Sequence, residues 1–126
     1  VTAGTVFIDS PTCFSADGQP KGYCPVNYDG KFHGPQGLRF SLGNSYNIPA
    51  VKMLAVNGVE NFVASSSAFG INSFKNSKNY GLSLTLGGGE VKMTEMATAF
   101  SSFANRGVVK ELNPILKIED KFGKTL

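Results

Sequence analysis

Ser45 and Asn47 are the residues of this sequence whose types and spacing are best suited to chemistry. A serine hydroxyl both donates and accepts a proton, and an asparagine amide holds a backbone carbonyl without titrating. Tyr46 stands between them, and the apolar sequence IPAV follows at once. Spacing alone also fits a structural interpretation, in which Asn47 caps one helix and Ser45 satisfies the end of the helix before it. The elements around the pair must therefore be considered.

Two helices are predicted to meet at this pair. Leucines at positions 38 and 42 favour a short helix that reaches Asn44. The next helix is predicted to begin with Asn47 as its cap and Pro49 in its first turn, where a missing N–H has no cost. Gly58 is predicted to end it. Ser45 is thus expected at the junction of two helices.

Two further helices are predicted downstream. One covers residues 59–69 and stops at Gly70, and a polar loop over residues 71–80 follows. The other is the clearest in the chain, because its apolar residues repeat at helical spacing and Asn105 and Gly107 follow them. The repeating residues are Met93, Met96, Ala97, Phe100, Phe103 and Ala104. A stripe of this composition predicts a core face, and in a piece removed from a larger domain it is the face expected to be left exposed.

Both flanks lack helical periodicity. Residues 1–35 form a loop-rich lead-in with a short strand near residues 5–8. His33 in this lead-in is interpreted as structural or exposed, because nothing nearby in the sequence orients it as a base. Residues 115–118 and 124–126 flank a turn and predict a β-hairpin within residues 108–126. The fold class expected is α+β, mostly helical over residues 36–107.

Composition limits the function. The chain has 126 residues, 41% of them apolar and 17% charged, which suits one domain or part of one. The net charge of +3 comes from dispersed lysines, so a nucleic-acid partner is not expected. No apolar run is long enough to span a membrane, and the chain begins without Met, as a mature product or an excised fragment does.

Cys13 and Cys24 are the two cysteines of the chain. Asp17, Gly18 and Pro20 favour a turn between them, which would allow a disulfide in an oxidising compartment. Two free thiols are the alternative. One histidine and two distant cysteines do not supply a tetrahedral ligand set, so no metal is expected. No organic cofactor is expected either.

Longer tracts carry a family resemblance. Residues 27–35 (NYDGKFHGP), 44–52 (NSYNIPAVK) and 80–91 (YGLSLTLGGGEV) closely resemble class A penicillin-binding proteins. The resemblance continues through residues 95–100 and 103–107. It implies a partial serine β-lactamase/penicillin-binding transpeptidase-like fold, with residues 1–126 as the central part of the domain.

The resemblance also implies roles for individual residues. Ser45 matches the serine that joins the proton relay around the family's nucleophile. Asn47 matches the asparagine that binds the substrate peptide and helps to fix the catalytic lysine, and Tyr46 is the variable position that lines the cleft. The family has two other motifs. Ser-x-x-Lys is absent because no serine of the sequence has a lysine three positions later. Lys-Thr/Ser-Gly is absent because Lys124-Thr125 is followed by leucine.

The parent protein implied by the resemblance is a D,D-transpeptidase. It cross-links peptidoglycan stem peptides through a serine acyl-enzyme, binds β-lactams, and is membrane-anchored at the periplasmic or extracellular face. The isolated chain is predicted to be inactive without its nucleophile. Two alternatives stay open: a non-catalytic binding or assembly module on the same scaffold, and a D,D-carboxypeptidase or β-lactam receptor relative.

Overall fold

A computed structural model describes residues 1–15 and 22–126 of the chain. The predicted turn over residues 17–20 therefore lies outside the described residues. The fold is α+β, as predicted, and helices account for most of its regular structure. The elements are β1 (Val6–Asp9), β2 (Gly34–Gly37), α1 (Leu38–Gly43), α2 (Asn47–Asn57), α3 (Val59–Ala68) and α4 (Met93–Ala104).

The two strands form an antiparallel pair, in which Val6 lies opposite Gly37 and Asp9 opposite Gly34. The strand near residues 5–8 was predicted, and β1 confirms it. Its partner β2 was not predicted, because Gly-Pro-Gln-Gly has neither alternation nor β-branched residues. Pairing places residue 9 beside residue 33 and leads the chain directly into α1.

The buried core is centred on α2. Ile48 and Val51 are fully buried, and Leu54 is nearly so, because the three lie on one face of the helix. That face packs against β1, α1, α3 and a 3-10 segment at Leu82–Leu86. The Lys52 ammonium donates to the Ile8 carbonyl at 2.6 Å and ties α2 to β1. The sheet and α2 therefore form one packed unit.

The predicted third and fourth helices are confirmed as α3 and α4. Glycines with positive φ angles close α2 and α3: Gly58 (84°) and Gly70 (89°). The apolar stripe of α4 does not pack into a core of this chain, and its exposure agrees with the expectation for a piece of a larger domain. Met93, Phe100 and Phe103 are 88%, 65% and 72% exposed.

Part of that stripe borders an apolar groove of about 320 Å³ between α3 and α4. Its lining residues are Phe62, Ser65, Ser66, Phe69, Ile71, Met96, Ala99, Phe100 and Phe103. Only the small residues Ala99 and Ser102 of α4 are buried, so the large side chains of this helix lie towards the outside. Helical periodicity identifies such a stripe but does not identify what covers it.

The predicted C-terminal hairpin is present in a minimal form. Glu119 and Thr125 form one antiparallel bridge, and the Leu126 amide donates to the Ile118 carbonyl at 2.9 Å. Gly123 in the turn has a φ of 81°. Elsewhere, Cys13 and Cys24 are joined in a disulfide. No helix among the described residues is long and apolar enough to cross a membrane.

Candidate functional site

Ser45, Tyr46 and Asn47, called here the Ser-Tyr-Asn turn, connect α1 to α2. The helix junction was predicted, and the structure places the turn there. The turn borders a cleft of about 370 Å³. The residues that line it are Asn27, Tyr28, Asp29, Asn44, Ser45 and Tyr46. Ser45 and Tyr46 therefore share one cleft with a loop that lies about twenty residues earlier in the sequence.

Ser45 has a left-handed backbone conformation, with a φ of 56°. Residues other than glycine adopt this region at a cost of about 1–3 kcal/mol and keep it only where their surroundings enforce it. Its amide donates to the Leu42 carbonyl at 3.2 Å. Its hydroxyl makes no hydrogen bond to any of the described residues, so the end of α1 is satisfied by the backbone rather than by the side chain. Ser45 is an exposed residue and lines the cleft.

Asn47 does not cap α2, contrary to the sequence prediction. It is the first residue of the helix, and its own amide needs an acceptor. Its side-chain Nδ2 donates to the Val26 carbonyl at 2.7 Å. The side chain is thereby drawn towards the loop that precedes Tyr28, and one of its two N–H groups is occupied.

Asn27 performs the capping that was assigned to Asn47. Its Oδ1 accepts the backbone amides of Asn47 at 2.8 Å and Ile48 at 3.4 Å. Its Nδ2 donates to both Asp9 oxygens and to the Lys31 carbonyl. Asn27 is only 3% exposed. Sequence reasoning missed it because a cap is normally sought next to its helix, and this one lies twenty residues away.

Asp9 is the buried acceptor on which this arrangement depends, with 1% of its surface exposed. Its Oδ1 accepts from Asn27 Nδ2 at 3.0 Å. Its Oδ2 accepts from the same nitrogen at 2.8 Å, from the His33 amide at 3.0 Å and from His33 Nδ1 at 2.7 Å. A buried carboxylate is tolerated when hydrogen bonds replace water in this way. Asp9 thus joins β1, the loop of Asn27 and His33.

His33 is oriented at both ring nitrogens, so the statement that nothing nearby in the sequence orients it is wrong. Nδ1 contacts Asp9, and Nε2 lies 3.1 Å from Asp29 Oδ2, four residues earlier. An imidazolium donates to both carboxylates, whereas a neutral ring donates to one. The pKa of Asp29 is lowered, first by the Lys31 backbone amide and then by His33.

The His33 ring stacks on Tyr46. The ring centroids are 4.1 Å apart and the planes differ by 10°. Phe40 of α1 contacts the edge of Tyr46, with centroids 6.2 Å apart. Tyr46 borders the local cleft, and its ring lies between His33, just before β2, and Phe40 of α1. The middle residue of the turn is therefore fixed by its ring.

A second, larger cleft of about 650 Å³ lies near the start of α4. There the Glu95 carboxylate accepts from the Ser73 hydroxyl at 2.6 Å and from the amides of Asn72 and Ser73. These bonds, led by that of the Ser73 hydroxyl, lower the pKa of Glu95. Glu95 fastens the loop after α3 to α4. Neither cleft contains three or more described His, Cys, Asp or Glu side chains that could hold a metal ion.

Comparison with known proteins identifies relatives of the chain by sequence similarity. No protein-family model matches it. The chain is similar to penicillin-binding protein 1C of Escherichia coli, with 37% identity over 71% of this chain. It is similar to penicillin-binding protein 1A of Haemophilus influenzae, with 34% identity over 100% of this chain. The chain spans 12% and 14% of the lengths of these two relatives.

The fold agrees with the sequence similarity. The crystal structure of penicillin-binding protein 1A from Haemophilus influenzae superimposes with a TM-score of 0.85 and 32% identity. The match covers 100% of this chain and 18% of that one. Sequence and fold point to the same relatives over the whole chain, and the chain therefore belongs to the penicillin-binding proteins.

Proposed function

We propose that residues 1–126 are the central part of a peptidoglycan D,D-transpeptidase domain. In the proposed reaction a serine outside this sequence attacks the D-Ala–D-Ala bond of a stem peptide and releases the terminal D-Ala. The acyl group then passes to an amine of a neighbouring stem peptide, which forms the cross-link. The observation that carries the proposal is Ser45, an exposed residue that lines a cleft and whose hydroxyl makes no hydrogen bond to any described residue. Membership in the penicillin-binding proteins supports it.

Each residue of the turn has a role in this proposal. The Ser45 hydroxyl relays the proton of the attacking serine, since a hydroxyl donates and accepts at one atom. The Asn47 side chain keeps one N–H and its carbonyl oxygen beyond the bond to Val26, and these groups bind the peptide backbone. Tyr46 forms a wall of the cleft. The catalytic lysine and the nucleophile are supplied by a Ser-x-x-Lys motif that this sequence lacks.

The proposed partners follow from this chemistry. They are the peptidoglycan stem peptide, β-lactams that acylate the same serine, and the remainder of the transpeptidase domain. The apolar groove between α3 and α4 is a surface that the remainder of the domain would cover. The parent is proposed to be anchored in the cytoplasmic membrane and to act at its periplasmic or extracellular face, where a disulfide such as Cys13–Cys24 persists.

Fluorescent penicillin tests the proposal. The full-length gene product that contains this sequence is expected to become labelled, and the isolated 126 residues are not. Ser45→Ala in the full-length protein is expected to slow labelling about 100-fold, the lower end of general acid–base effects. Ser77→Ala is the matched control, because that serine borders neither cleft nor the apolar groove and its hydroxyl makes no hydrogen bond to any described residue.

The outcomes separate the alternatives. A full-length protein that takes no label, with a normal fold, supports the non-catalytic binding or assembly module. A protein that takes label and releases D-Ala without forming cross-linked peptides supports the carboxypeptidase relative. Labelling of the isolated chain contradicts the proposed need for an outside nucleophile.

A further inference from the structure

We propose that His33 is a positioning residue for the Ser45 hydroxyl, acting through the ring of Tyr46. The inference rests on the proposed function, because it assigns a rate effect to a residue outside the Ser-Tyr-Asn turn. His33 belongs to none of the three family motifs and lies twelve positions before Ser45 in the sequence. Three features of the structure lead to it.

The first feature is the strained backbone of Ser45. With a φ of 56°, the residue relaxes towards ordinary backbone angles unless both of its neighbours are held. On the α1 side it is held by the bond of its amide to Leu42. The Tyr46 amide also donates to the Ser41 carbonyl at 3.0 Å. Together with the bond of the Asn47 amide to Asn27, these bonds fix the peptide groups around Ser45, and a further restraint holds the side chain of Tyr46.

The second feature is the stacked pair that supplies this restraint. The Tyr46 and His33 rings are nearly parallel at 4.1 Å. An aromatic pair contributes more than its buried area alone, and it resists sliding and tilting of either ring. Because Tyr46 directly follows Ser45, a fixed ring at position 46 limits rotation about the backbone of position 45. Removal of the platform leaves the backbone bonds of Ser45, Tyr46 and Asn47 in place, but it frees the Tyr46 ring and so loosens the strained residue beside it.

The third feature is the rigidity of the platform. His33 is bonded at Nδ1 to buried Asp9 and at Nε2 to Asp29, so its ring cannot rotate without breaking one of the two contacts. The His33 backbone amide also donates to Asp9. A histidine that serves only to fill space needs none of these bonds. The arrangement is that of a side chain locked to support another.

A displaced Ser45 hydroxyl is expected to slow proton transfer more than it weakens β-lactam binding. Proton relay depends on the distance and angle between reacting atoms, whereas binding is spread over many contacts. Loss of the stack between the two rings is therefore expected to slow the acylation step roughly tenfold. The prediction for a positioning residue is thus a slower acylation step with a nearly unchanged apparent dissociation constant.

The experiment uses the full-length gene product and fluorescent penicillin in single-turnover mode. The acylation rate at saturating penicillin, the half-saturating concentration and the final labelled fraction are measured for each variant. His33→Ala removes the stack and the hydrogen bonds, and it is expected to slow acylation about tenfold with a full labelled fraction. His33→Phe keeps a ring against Tyr46 and is expected to recover part of the rate. Tyr80→Phe is the control, because it retains a ring against Phe74 and that pair lies at the other cleft.

The outcomes distinguish positioning from stability. A lower labelled fraction at an unchanged rate, in both His33 variants, means that part of the protein is unfolded and that His33 is only structural, which overturns the inference. Equal rates for wild type and His33→Ala also overturn it and leave the proposed function intact. If the wild type takes no label, the proposed function fails and the inference falls with it.

Discussion

Replacement of Asn27 by alanine is expected to open the first turn of α2 while the rest of the helix stays closed. Asn27 Oδ1 is the acceptor of the Asn47 and Ile48 amides, and its Nδ2 is a donor to buried Asp9. Loss of a helix cap costs about 1 kcal/mol. Loss of a buried hydrogen bond to a carboxylate costs about 2 kcal/mol. The first cost, about 1 kcal/mol, falls on the start of α2, and the second, about 2 kcal/mol, falls on the Asp9 network.

Hydrogen exchange followed by mass spectrometry measures this opening directly. In the full-length gene product, a cap cost of about 1 kcal/mol corresponds to roughly fivefold faster exchange of the amides of Asn47 and Ile48. Asn61→Ala is the matched control, since Asn61 is exposed on α3 and, among the described residues, its side-chain amide donates to the Asn57 carbonyl alone. For the control we expect less than about 0.5 kcal/mol, or a change of about twofold at most.

Two results would refute this reasoning. Protection at the start of α2 that matches the Asn61→Ala control would mean that Asn27 is not the cap. Faster exchange of similar size across α3 and α4 would mean that the substitution lowers global stability rather than opening one turn. Only a loss of protection confined to the start of α2 and to the Asp9 network agrees with the structure.

Three further predictions concern other parts of the fold. The pKa of Glu95 is lowered from its ordinary value of 4.5 mainly by the Ser73 hydroxyl, so its stabilisation is complete above that pH and is lost as the pH falls through the lowered value. The melting temperature of the wild type should therefore exceed that of Glu95→Gln at pH 6, and the difference should shrink by pH 3. Gly89→Ala should destabilise by about 1–3 kcal/mol in chemical denaturation, because its Cβ would lie 2.6 Å from a buried side-chain carbon. Gly81→Ala, which has open space around it, should change stability little. The isolated chain should self-associate through the exposed stripe of α4, and Phe103→Lys should reduce this in sedimentation; a monomeric wild type at high concentration would contradict it.

The helical part of the fold was predictable because its signals are local. Periodic apolar residues and glycines at 58, 70 and 107 specify the helices and their ends, and each signal lies within the helix or just beyond it. β2 was not predictable in this way, because its backbone pairs with β1 although its residues have no strand preference. The exposure of the α4 stripe was equally outside the reach of periodicity.

The position of the Ser-Tyr-Asn turn could be predicted from the sequence, but the residues that hold it in place could not. Its residues are adjacent in sequence, so the family resemblance locates it. Its supports are remote: Asn27 lies 20 residues from Asn47, and Asp9 lies 24 residues from His33. Single-sequence reasoning has no physical signal for contacts at such separations, because they depend on how the loop before β2 packs against α2.

The disulfide determines how much the loop between Cys13 and Cys24 can change in length without affecting the cap of α2. Cys13 and Cys24 both lie between Asp9 and Asn27, and the bond closes a loop with a sequence separation of 11. Because of this bond, the shortest covalent connection between buried Asp9 and Asn27 runs through the disulfide and not through the loop. Residues added inside the loop would therefore leave the path from Asp9 to Asn27 unchanged in length. Each doubling of an unbridged connection would cost about 0.6 kcal/mol of closure entropy. The loop can thus grow or change in sequence while the cap of α2 keeps its partner.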